Sequence, residues 1–361
     1  RIEGVQVVRY RNPAEASGPL GYLKEYGVSL WRMTRALRAT RGDQPYEIVH
    51  FCNPPDLLFL AAHKEKRKYG STAVFDQHDL GPELVSAKNM PLKSVFEFIA
   101  RWAERRTYRF ADHVIATNES YRTVAMKRGG FGPEDVTVIR SGPAANWGEF
   151  EPNGMDYRHG RKYLVGYLGV MGRQEGIDYL LFAIKDLIGR GLDCQLALVG
   201  SGPDRQRLEG LATELGIADH VTFFGRVSDD DLKNILASSD VCVNPDEVNP
   251  MNDLSTMNKI IEYMALGRPI VQFDVREGRY SAQDASLYAA ANDVVDFANM
   301  IASLLENPAM ARQMGDAGKV RFRETLNWEK QGAKLVNLFA RLRQVDKHSE
   351  SAAEMGVKNA G

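Results

Sequence analysis

The sequence predicts an α/β protein made of two Rossmann-like domains, each with a doubly wound parallel sheet. The chain has 361 residues, which is too long for one ordinary hydrophobic core. Strand-like and helix-like segments alternate almost throughout, as in parallel sheets that carry helices on both faces. A stretch at 141–161, rich in Gly, Pro and Asn, separates two such series.

Short apolar runs in the first half predict strands, and the segments between them have helical periodicity. The predicted strands are 4–9, 48–52, 72–76, 113–116 and 136–139, and the predicted helices are 28–40, 57–69, 93–110 and 120–127. The chain opens directly on Val5, Val7 and Val8, without the strand, Gly-rich turn and helix that usually start a Rossmann-like half. We therefore expect that the first domain lacks its N-terminal strand and Gly-rich loop.

The second half repeats the alternation. The predicted strands are 163–168, 195–199, 221–224, 241–243 and 270–273. The segment 177–190 has six apolar residues on one stripe at helical spacing: Ile177, Leu180, Leu181, Ile184, Leu187 and Ile188. The amphipathic helix at 328–343 is expected to pack back onto the first domain. These patterns predict domains at 1–150 and 151–345, facing each other across a cleft, and a flexible tail at 346–361.

Composition indicates a cytoplasmic globular protein. Apolar residues make up 44% and charged residues 26% of the chain. No apolar run approaches the roughly 20 residues of a spanning helix, and no signal peptide is apparent. The three cysteines are widely spaced, which argues against a disulfide framework and fits a reducing cytosol. Neither they nor the seven histidines have the spacing of a metal site.

Charge is unevenly distributed between the two halves. Residues 1–150 contain 22 Lys and Arg against 17 Asp and Glu, and the remainder contains 24 against 30. Basic clusters at 64–68 and 101–109 lie on predicted helices of the first half. We interpret most of these residues as solvated helix faces. The alternative is a surface attracted to an anionic membrane or to a phosphorylated acceptor, which would give a peripheral contact at the inner face of the membrane.

The stretch NDLSTMNKIIEYMALGRP at 252–269 carries the strongest chemical signal. It predicts a polar loop followed by a short helix with Lys259 and Glu262 on one face near its start. Gly267 and Pro269 end the helix. The free N–H groups and the dipole of such a helix favour a phosphate, and the carboxylate is within reach of hydroxyl groups. Nucleotides carry both a phosphate and vicinal ribose hydroxyls, so this stretch predicts a nucleotide-binding site.

Three glycine-containing turns follow predicted strands of the second half. The first contains Gly169, Gly172, Arg173 and Gly176, and Arg173 supplies a permanent cation for a diphosphate. The others are LVGSGP, with Gly200 and Gly202, and FFGRV, with Gly225, Arg226 and Val227. Each turn has two interpretations, because glycine serves both backbone conformation and close approach to a ligand.

His78 follows a predicted strand of the first half, beside Asp79. A histidine in a loop at the carboxyl end of a parallel strand is a candidate for a functional site. The alternatives are that His78 is structural and that Asp79 caps the following turn.

The ordered motifs DQHDLGPEL, ADHVIATNES, YLGVMGRQEGIDYLL, LVGSGP, VTFFGRV and STMNKIIEYMALGRPIV resemble family 4 of the retaining glycosyltransferases, which has the GT-B fold. The chain is most similar to the bacterial members that build O-antigen, capsule or exopolysaccharide. The resemblance extends from residue 48 to residue 339.

The resemblance implies roles for individual residues. Glu262 corresponds to the second glutamate of the E-x7-E motif, which holds the donor ribose, and Arg173 to the arginine that binds the diphosphate. Gly172, Gly200 and Gly202 then line the donor, Arg226 and Val227 lie where the base is held, and His78 contacts the transferred sugar.

Two positions depart from the family pattern. The phosphate lysine is replaced by Glu175, and Leu254 stands where the first glutamate is expected. We expect Lys259 partly to replace the lost lysine; alternatively it is a helix-surface lysine paired with Glu262. We expect Asp253, or the backbone of Ser255, Thr256 and Met257, to hold the donor sugar.

The resemblance implies a hexosyltransferase-type enzyme that works with retention and without a metal or other cofactor. The expected donor is a nucleotide sugar, UDP-linked by the family's commonest usage, and the expected acceptor is a glycan or polyprenyl-linked glycan; no nucleic acid is expected as a partner. Two alternatives are a GT-B sugar-nucleotide epimerase, which would use first-domain carboxylates such as Asp76, Asp79 and Glu83, and a non-catalytic subunit of a polysaccharide assembly complex.

Overall fold

A computed structural model describes residues 3–10, 18–41, 44–86 and 92–358, with side chains at all of these except 18–20, 22–23 and 345–358. The chain divides into two compact units. The first unit comprises Arg1–Ile139 and Leu335–Gly361, and the second comprises Arg140–Lys334. Both are α/β units with a parallel sheet, as the alternation of segments predicts.

The first unit contains a four-stranded parallel sheet in the order β1-β2-β3-β4. Its elements are α1 (Gly18–Thr40), β1 (Ile48–Cys52), α2 (Phe59–Tyr69), β2 (Thr72–Gln77), α3 (Gly81–Ser86), α4 (Lys93–Phe110), β3 (His113–Ala116), α5 (Glu119–Val124) and β4 (Val136–Val138). Val74 and Val114 at the centre of the sheet have no exposed surface. Such burial on both faces is typical of a parallel sheet covered by helices.

The strand predicted at 4–9 is wrong. Val5 forms an isolated β-bridge and is 65% exposed, and Val7 and Val8 are exposed as well. An apolar run forms a stable strand only when a neighbouring strand satisfies its backbone along its length. The bridge at Val5 does not provide such a neighbour.

The second unit contains a six-stranded parallel sheet in the order β10-β9-β8-β5-β6-β7. Its strands are β5 (Tyr163–Leu168), β6 (Cys194–Val199), β7 (Val221–Gly225), β8 (Val241–Asn244), β9 (Ile270–Phe273) and β10 (Ser286–Ala289). The helices are α6 (Ile177–Gly189), α7 (Arg205–Glu214), α8 (Asp229–Ser238), α9 (Asn258–Ala265), α10 (Arg276–Ala282), α11 (Val294–Glu306), α12 (Pro308–Arg321) and the first part of α13 (Trp328–Lys358). This is the strand order of a dinucleotide-binding sheet, and the order reverses between β5 and β8. The fold therefore places a ligand crevice where the loops after these two strands diverge.

Helix α6 shows how the second core is built. Ile177, Leu180, Leu181, Ile184 and Leu187 are essentially fully buried, as the apolar stripe predicts. Each such side chain contributes about 1.5–3 kcal/mol when it leaves water. The stripe fixes the orientation of α6, and with it the position of the turn that precedes the helix.

The division between the units differs from the predicted boundaries in two places. The segment 141–161 belongs to the second unit, because Trp147 and Phe150 pack against its core and Tyr157 is buried there. The chain from Leu335 onward belongs to the first unit.

The end of α13 packs on the first sheet. Leu338 is buried beside Val74 and Ile115. The prediction that the last amphipathic helix packs onto the first domain is therefore confirmed. The flexible tail expected at 346–361 coincides with the end of α13, whose side chains lie outside the description, and with residues beyond the described range.

Among the described residues, no helix combines the length and the apolar character that crossing a membrane requires.

Candidate functional site

The loops that follow β5, β6, β7 and β8 meet at the carboxyl edge of the second sheet. The Gly169 N–H donates to the Val199 carbonyl at 3.1 Å, and the Gly200 N–H donates to the Gly225 carbonyl at 2.8 Å. The Asn252 amide donates to the Gln174 carbonyl at 3.2 Å. These contacts bring the glycine-containing turns and the polar loop before α9 to the point where the strand order reverses.

The turn after β5 presents a cation to solvent. Gly172 precedes a 3₁₀ turn at Arg173–Glu175, and Gly176 then starts α6 with φ of +62°. The Arg173 side chain is 80% exposed, and its Nε lies 4.0 Å from Asp204 Oδ1. Gly172 has φ of −118°, and the atoms nearest to a Cβ placed there belong to the Gln174 side chain, at 3.1 Å. The contact of Gly172 with a donor stays a prediction.

Packing explains the glycines of the turn after β6. A Cβ on Gly200 would lie 1.9 Å from the Gly169 carbonyl oxygen, and φ at Gly200 is +122°. A Cβ on Gly202 would lie 2.4 Å from the Met171 carbonyl oxygen. Both glycines let the two turns pack backbone to backbone. Their contact with a donor stays a prediction.

Two groups of the turn after β7 already make contacts within the protein. The carbonyl of Gly225 accepts the Gly200 N–H, and the Val227 side chain packs in a small apolar cluster with Tyr157. Arg226 is exposed at the tip of this turn. The backbone groups of both residues and the Arg226 side chain are the groups that could contact a base, and that contact stays a prediction.

Glu262 carries a carboxylate that has no hydrogen-bond partner among the described residues. It lies on α9, whose first turn has no side-chain cap. Burial raises the pKa of Glu262 to about 7, although the nearby Lys259 acts in the opposite direction. A half-buried carboxylate without a partner can accept hydrogen bonds from the hydroxyls of a ligand.

Lys259 belongs to a buried ion cluster. Its Nζ donates to Glu175 Oε2 and to Asp246 Oδ1, both at 2.9 Å. Burial alone would lower the pKa of Lys259, but Asp246, Tyr167 and Glu175 outweigh it and keep the lysine charged. The interpretation of Lys259 as a surface lysine paired with Glu262 is wrong, because its side chain is buried and its partners Glu175 and Asp246 lie in the loops after β5 and β8. Its contact with a phosphate stays a prediction.

The residues expected around the donor sugar have partners within the second unit. Asp253 Oδ1 accepts the Arg276 N–H at 2.9 Å at the start of α10. The Ser255 hydroxyl donates to the Met251 carbonyl at 2.8 Å, and Thr256 Oγ1 accepts from Arg140 Nη1 at 3.4 Å. Met257 packs against the apolar cluster around α9. These contacts fix the loop; its contact with a sugar stays a prediction.

In the first unit, His78 lies at the carboxyl end of β2 and pairs with Asp76. Its Nε2 is 3.2 Å from Asp76 Oδ2, and Nε2 of His50 is 3.1 Å from the same oxygen. The hydrogen bond to Asp76 raises the pKa of His78. Burial would raise the pKa of Asp76, but the hydrogen bonds from the two histidines lower it to about 2. The partner of His78 is thus Asp76 and not the adjacent Asp79.

Asn53 holds the loop that presents His78. Its Oδ1 accepts the N–H groups of His78, at 2.9 Å, and of Asp79, at 3.2 Å. Its amide donates to Asp56 at 2.8 Å, and burial raises the pKa of Asp56 to about 6. The sequence motifs do not single out Asn53, His50 or Asp56. The position of Asn53 directly after β1 is equivalent to that of His78 after β2, and this could have indicated Asn53 as a site residue.

The second unit also contains site residues that sequence reasoning missed. Asp246 is buried against Lys259, and Tyr167 lies beside the same cluster with its hydroxyl 3.4 Å from Glu175 Oε2. Glu175 appears in the sequence as the loss of a lysine, whereas the structure shows it as a partner of Lys259.

Two family models match the chain. Glycosyl transferase 4-like domain matches residues 1–142, and Glycosyl transferases group 1 matches residues 162–307. Each match falls within one half of the chain, and together they cover most of the residues on which the site depends.

Characterised relatives have similar sequences. Alpha-D-kanosaminyltransferase of Streptomyces kanamyceticus is 24% identical over 226 residues, which are 60% of this chain and 57% of the relative. A GDP-mannose-dependent alpha-(1-6)-phosphatidylinositol monomannoside mannosyltransferase of Mycolicibacterium smegmatis is 28% identical over 261 residues, which are 68% of this chain and 66% of the relative. The chain thus matches somewhat more than half the length of these two relatives.

Solved structures show the same fold. Sucrose-phosphate synthase from Thermosynechococcus elongatus superposes with a TM-score of 0.74 and 24% identity, covering 91% of this chain and 82% of that one. Alr3699/HepE from Anabaena, solved in complex with UDP, superposes with a TM-score of 0.68 and 16% identity, covering 89% and 84%. These structures show that the chain has the GT-B fold, and the two family models, which together match most of its residues, show that it belongs to the GT4-type glycosyltransferases.

Proposed function

We propose that the protein is a retaining glycosyltransferase that moves a sugar from a nucleoside-diphosphate sugar to a glycan or polyprenyl-linked glycan acceptor in polysaccharide biosynthesis. The observation that carries this proposal is the Glu262 carboxylate, half-buried and without a described partner, on a helix whose N-terminus has no side-chain cap. Ribose hydroxyls match the carboxylate, and phosphate oxygens match free N–H groups.

Arg173 is the group we assign to the diphosphate. Its guanidinium is exposed, permanently charged and able to donate two parallel hydrogen bonds to phosphate oxygens. Negative charge grows on the leaving diphosphate as the glycosidic bond breaks. A fixed cation and oriented N–H groups stabilise that charge more in the transition state than in the ground state.

Lys259 receives a different role in this proposal from the one expected from the sequence. Because its ammonium already binds two carboxylates, we assign it to holding the loops after β5 and β8 together beside the diphosphate position. In this proposal Arg173 and the N–H groups at the start of α9 stabilise the charge of the diphosphate. Retention and independence of a metal follow from the family resemblance and are part of the proposal.

For the donor base we put UDP first and GDP second. Alr3699/HepE was solved with UDP, whereas the mycobacterial relative is named for GDP-mannose. A thermal-shift screen of UDP, GDP and ADP tests the choice, because a bound ligand raises the melting temperature by mass action. The expected result is stabilisation by UDP in the wild type and a much smaller effect in Glu262→Ala. The absence of a shift with all three nucleotides would overturn the nucleotide site.

Of the two alternatives, the structure weakens the epimerase. Glu83, one of the three carboxylates it would use, pairs with Arg128, which also binds Glu104 at 3.1 Å. NMR of a nucleotide sugar incubated with the protein and no acceptor separates the two activities, since only an epimerase changes the sugar under these conditions. A non-catalytic subunit would bind none of the nucleotides in the screen.

A further inference from the structure

We propose that the outward face of α4 docks the protein on an anionic lipid bilayer. We define this face as the apolar residues Val95, Phe98, Ile99 and Trp102 together with the basic residues Arg105, Arg106 and Arg109. All seven are exposed and lie on one side of the helix. The proposal concerns the first unit and is independent of the nucleotide site of the second.

The apolar half of this face is unusual for a solvated helix. Phe98 is 72% exposed and Trp102 is 46% exposed, and Val95 and Ile99 flank them one turn away. Residues three and four apart are neighbours on a helix surface, so these four side chains form one contiguous patch. A contiguous exposed patch indicates an interaction site, whereas scattered single apolar residues do not.

The opposite side of α4 explains why the patch is left outside. Ala103, Thr107, Tyr108 and Phe110 are buried against the unit and account for the helix's own packing. The two acidic residues of the helix are also engaged with the protein. Glu97 accepts the Ser86 hydroxyl at 2.7 Å, and Glu104 binds Arg128. The outward face therefore has no role in holding α4 in place.

The basic half gives this face of α4 a positive charge. Arg105, Arg106 and Arg109 have no carboxylate partner within salt-bridge distance in the described parts of the chain. The Arg106 guanidinium lies 5.4 Å from the Trp102 ring centroid, within the range of a cation–π contact, so the basic and apolar halves of the face adjoin. No described acidic side chain of α4 offsets this charge on the same face.

An anionic bilayer can contact both the apolar and the basic residues of this face. Its headgroups attract arginines, and its interface accepts Trp and Phe side chains that are buried only part of the way into the acyl region. An acidic protein surface would match the arginines but would also need an apolar groove for Phe98 and Trp102. We therefore commit to phosphatidylglycerol-type lipid as the partner chemistry.

Co-sedimentation of the full chain with vesicles tests the proposal. We expect binding to phosphatidylcholine vesicles that contain phosphatidylglycerol, weakening with added salt, and little binding to pure phosphatidylcholine. Arg105→Gln/Arg109→Gln should weaken binding roughly tenfold or more, because each arginine near an anionic surface contributes severalfold in affinity. Phe98→Ser/Trp102→Ser should weaken it by a similar factor.

The matched control is Arg312→Gln/Lys330→Gln, which removes two exposed charges from the second unit and should change binding by less than about twofold. Nucleotide binding should be unchanged in all variants, so failure of this proposal is distinct from failure of the proposed function. Equal binding by the α4 variants, or no binding by the wild type, would overturn it. Concentration-dependent self-association lost in Phe98→Ser/Trp102→Ser, without vesicle binding, would identify the face as a protein contact instead.

Discussion

At the scale of the residue, the protonation of Glu262 gives the nucleotide site a pH signature. Its pKa is about 7 in the free protein, because burial disfavours the charged form. Ribose hydroxyls donate hydrogen bonds to the ionised carboxylate and so favour that form. Affinity for UDP should therefore be highest above pH 7 and fall as the pH drops below it, by at most about tenfold per pH unit, until the carboxyl is protonated in the complex as well.

Calorimetric titration of UDP from about pH 5 to about pH 8 checks this prediction. Glu262→Gln is the matched variant, because it keeps the size of the side chain and one acceptor oxygen but does not titrate. Ionisation of the diphosphate itself contributes equally in both proteins, so the difference between the two profiles isolates Glu262. Superimposable profiles would show that Glu262 does not contact the ribose.

Arg173→Ala should reduce sugar transfer by at least about tenfold, since it removes one fixed charge from the leaving diphosphate. Stability should be unaffected, because the side chain is mostly exposed and its contact with Asp204, at 4.0 Å, is weak. Arg312→Ala on α12 is the control, because it removes another exposed arginine from the same unit. Steady-state kinetics measure the effect, and turnover equal to that of the control would remove Arg173 from the site.

The sequence predicts individual site residues only where their chemistry is local. Arg173 and Glu262 are recognisable because each stands beside a glycine turn or in a helix of distinctive pattern. The partners of Lys259 are not recognisable, because Glu175 lies 84 residues away and meets it only after the strands are ordered. A long-range ion cluster leaves no periodic pattern in the sequence.

At the scale of the element, Lys259 connects α9 to the loops after β5 and β8. Replacing it with Met would leave the buried Asp246 and the partly buried Glu175 without a compensating charge. We expect Lys259→Met to lower the free energy of unfolding by about 3–5 kcal/mol. Chemical denaturation measures this loss.

The pH dependence of that loss follows from its cause. Burial already raises the pKa of Asp246, and removal of the lysine should raise it further. A carboxyl whose pKa is higher in the folded state destabilises that state as the pH rises. The deficit of Lys259→Met should therefore be smaller at about pH 5 than at about pH 8. A deficit independent of pH would mean that lost packing, and not unpaired charge, causes it.

The close backbone packing of the turn after β6 predicts the effect of replacing its glycine. Gly200→Ala should destabilise the second unit by roughly 1–3 kcal/mol, because its Cβ would overlap the Gly169 carbonyl and its φ disfavours any side chain. Gly210→Ala, in the middle of α7 with open space around it, should instead stabilise by about 0.5–1 kcal/mol. Denaturation midpoints of the two variants should shift in opposite directions. A neutral Gly200→Ala would contradict the packing of the two turns.

Elements that are distinct apolar runs could be predicted from the sequence, including the edge strand β1. The bounds predicted for β1, β3, β5 and β9 agree with the structure, because each is a short apolar run followed by a change in composition. Strand β10 was missed, because Ser286–Ala289 has only four residues and continues into further alanines without a change in composition. The apolar run at 4–9 shows the opposite failure, because a favourable pattern does not supply a neighbouring strand.

At the scale of the whole molecule, the chain crosses between its units twice. The first crossing is at Ile139 and Arg140, and the second lies within α13, between Lys334 and Leu335. The sequence indicated the second crossing through the amphipathic pattern of the helix. It did not locate the first, because the composition of 141–161 resembles a linker although three aromatic residues anchor the segment on the second unit.

The end of α13 should stabilise the first unit alone. Leu338 is 3% exposed and packs beside Val74 of β2 and Ile115 of β3. Leu338→Ala should therefore cost about 2–5 kcal/mol of local stability, from lost burial and the cavity left behind. Val336→Ala is the control, because that side chain is on the same helix and 68% exposed, and its effect should stay within about 0.5 kcal/mol. Hydrogen exchange separates the units: Leu338→Ala should accelerate exchange in β2 and β3 and leave β5 and β6 unchanged. Faster exchange in both sheets would show that the two units unfold together. The division at Leu335 would then not separate two units of independent stability.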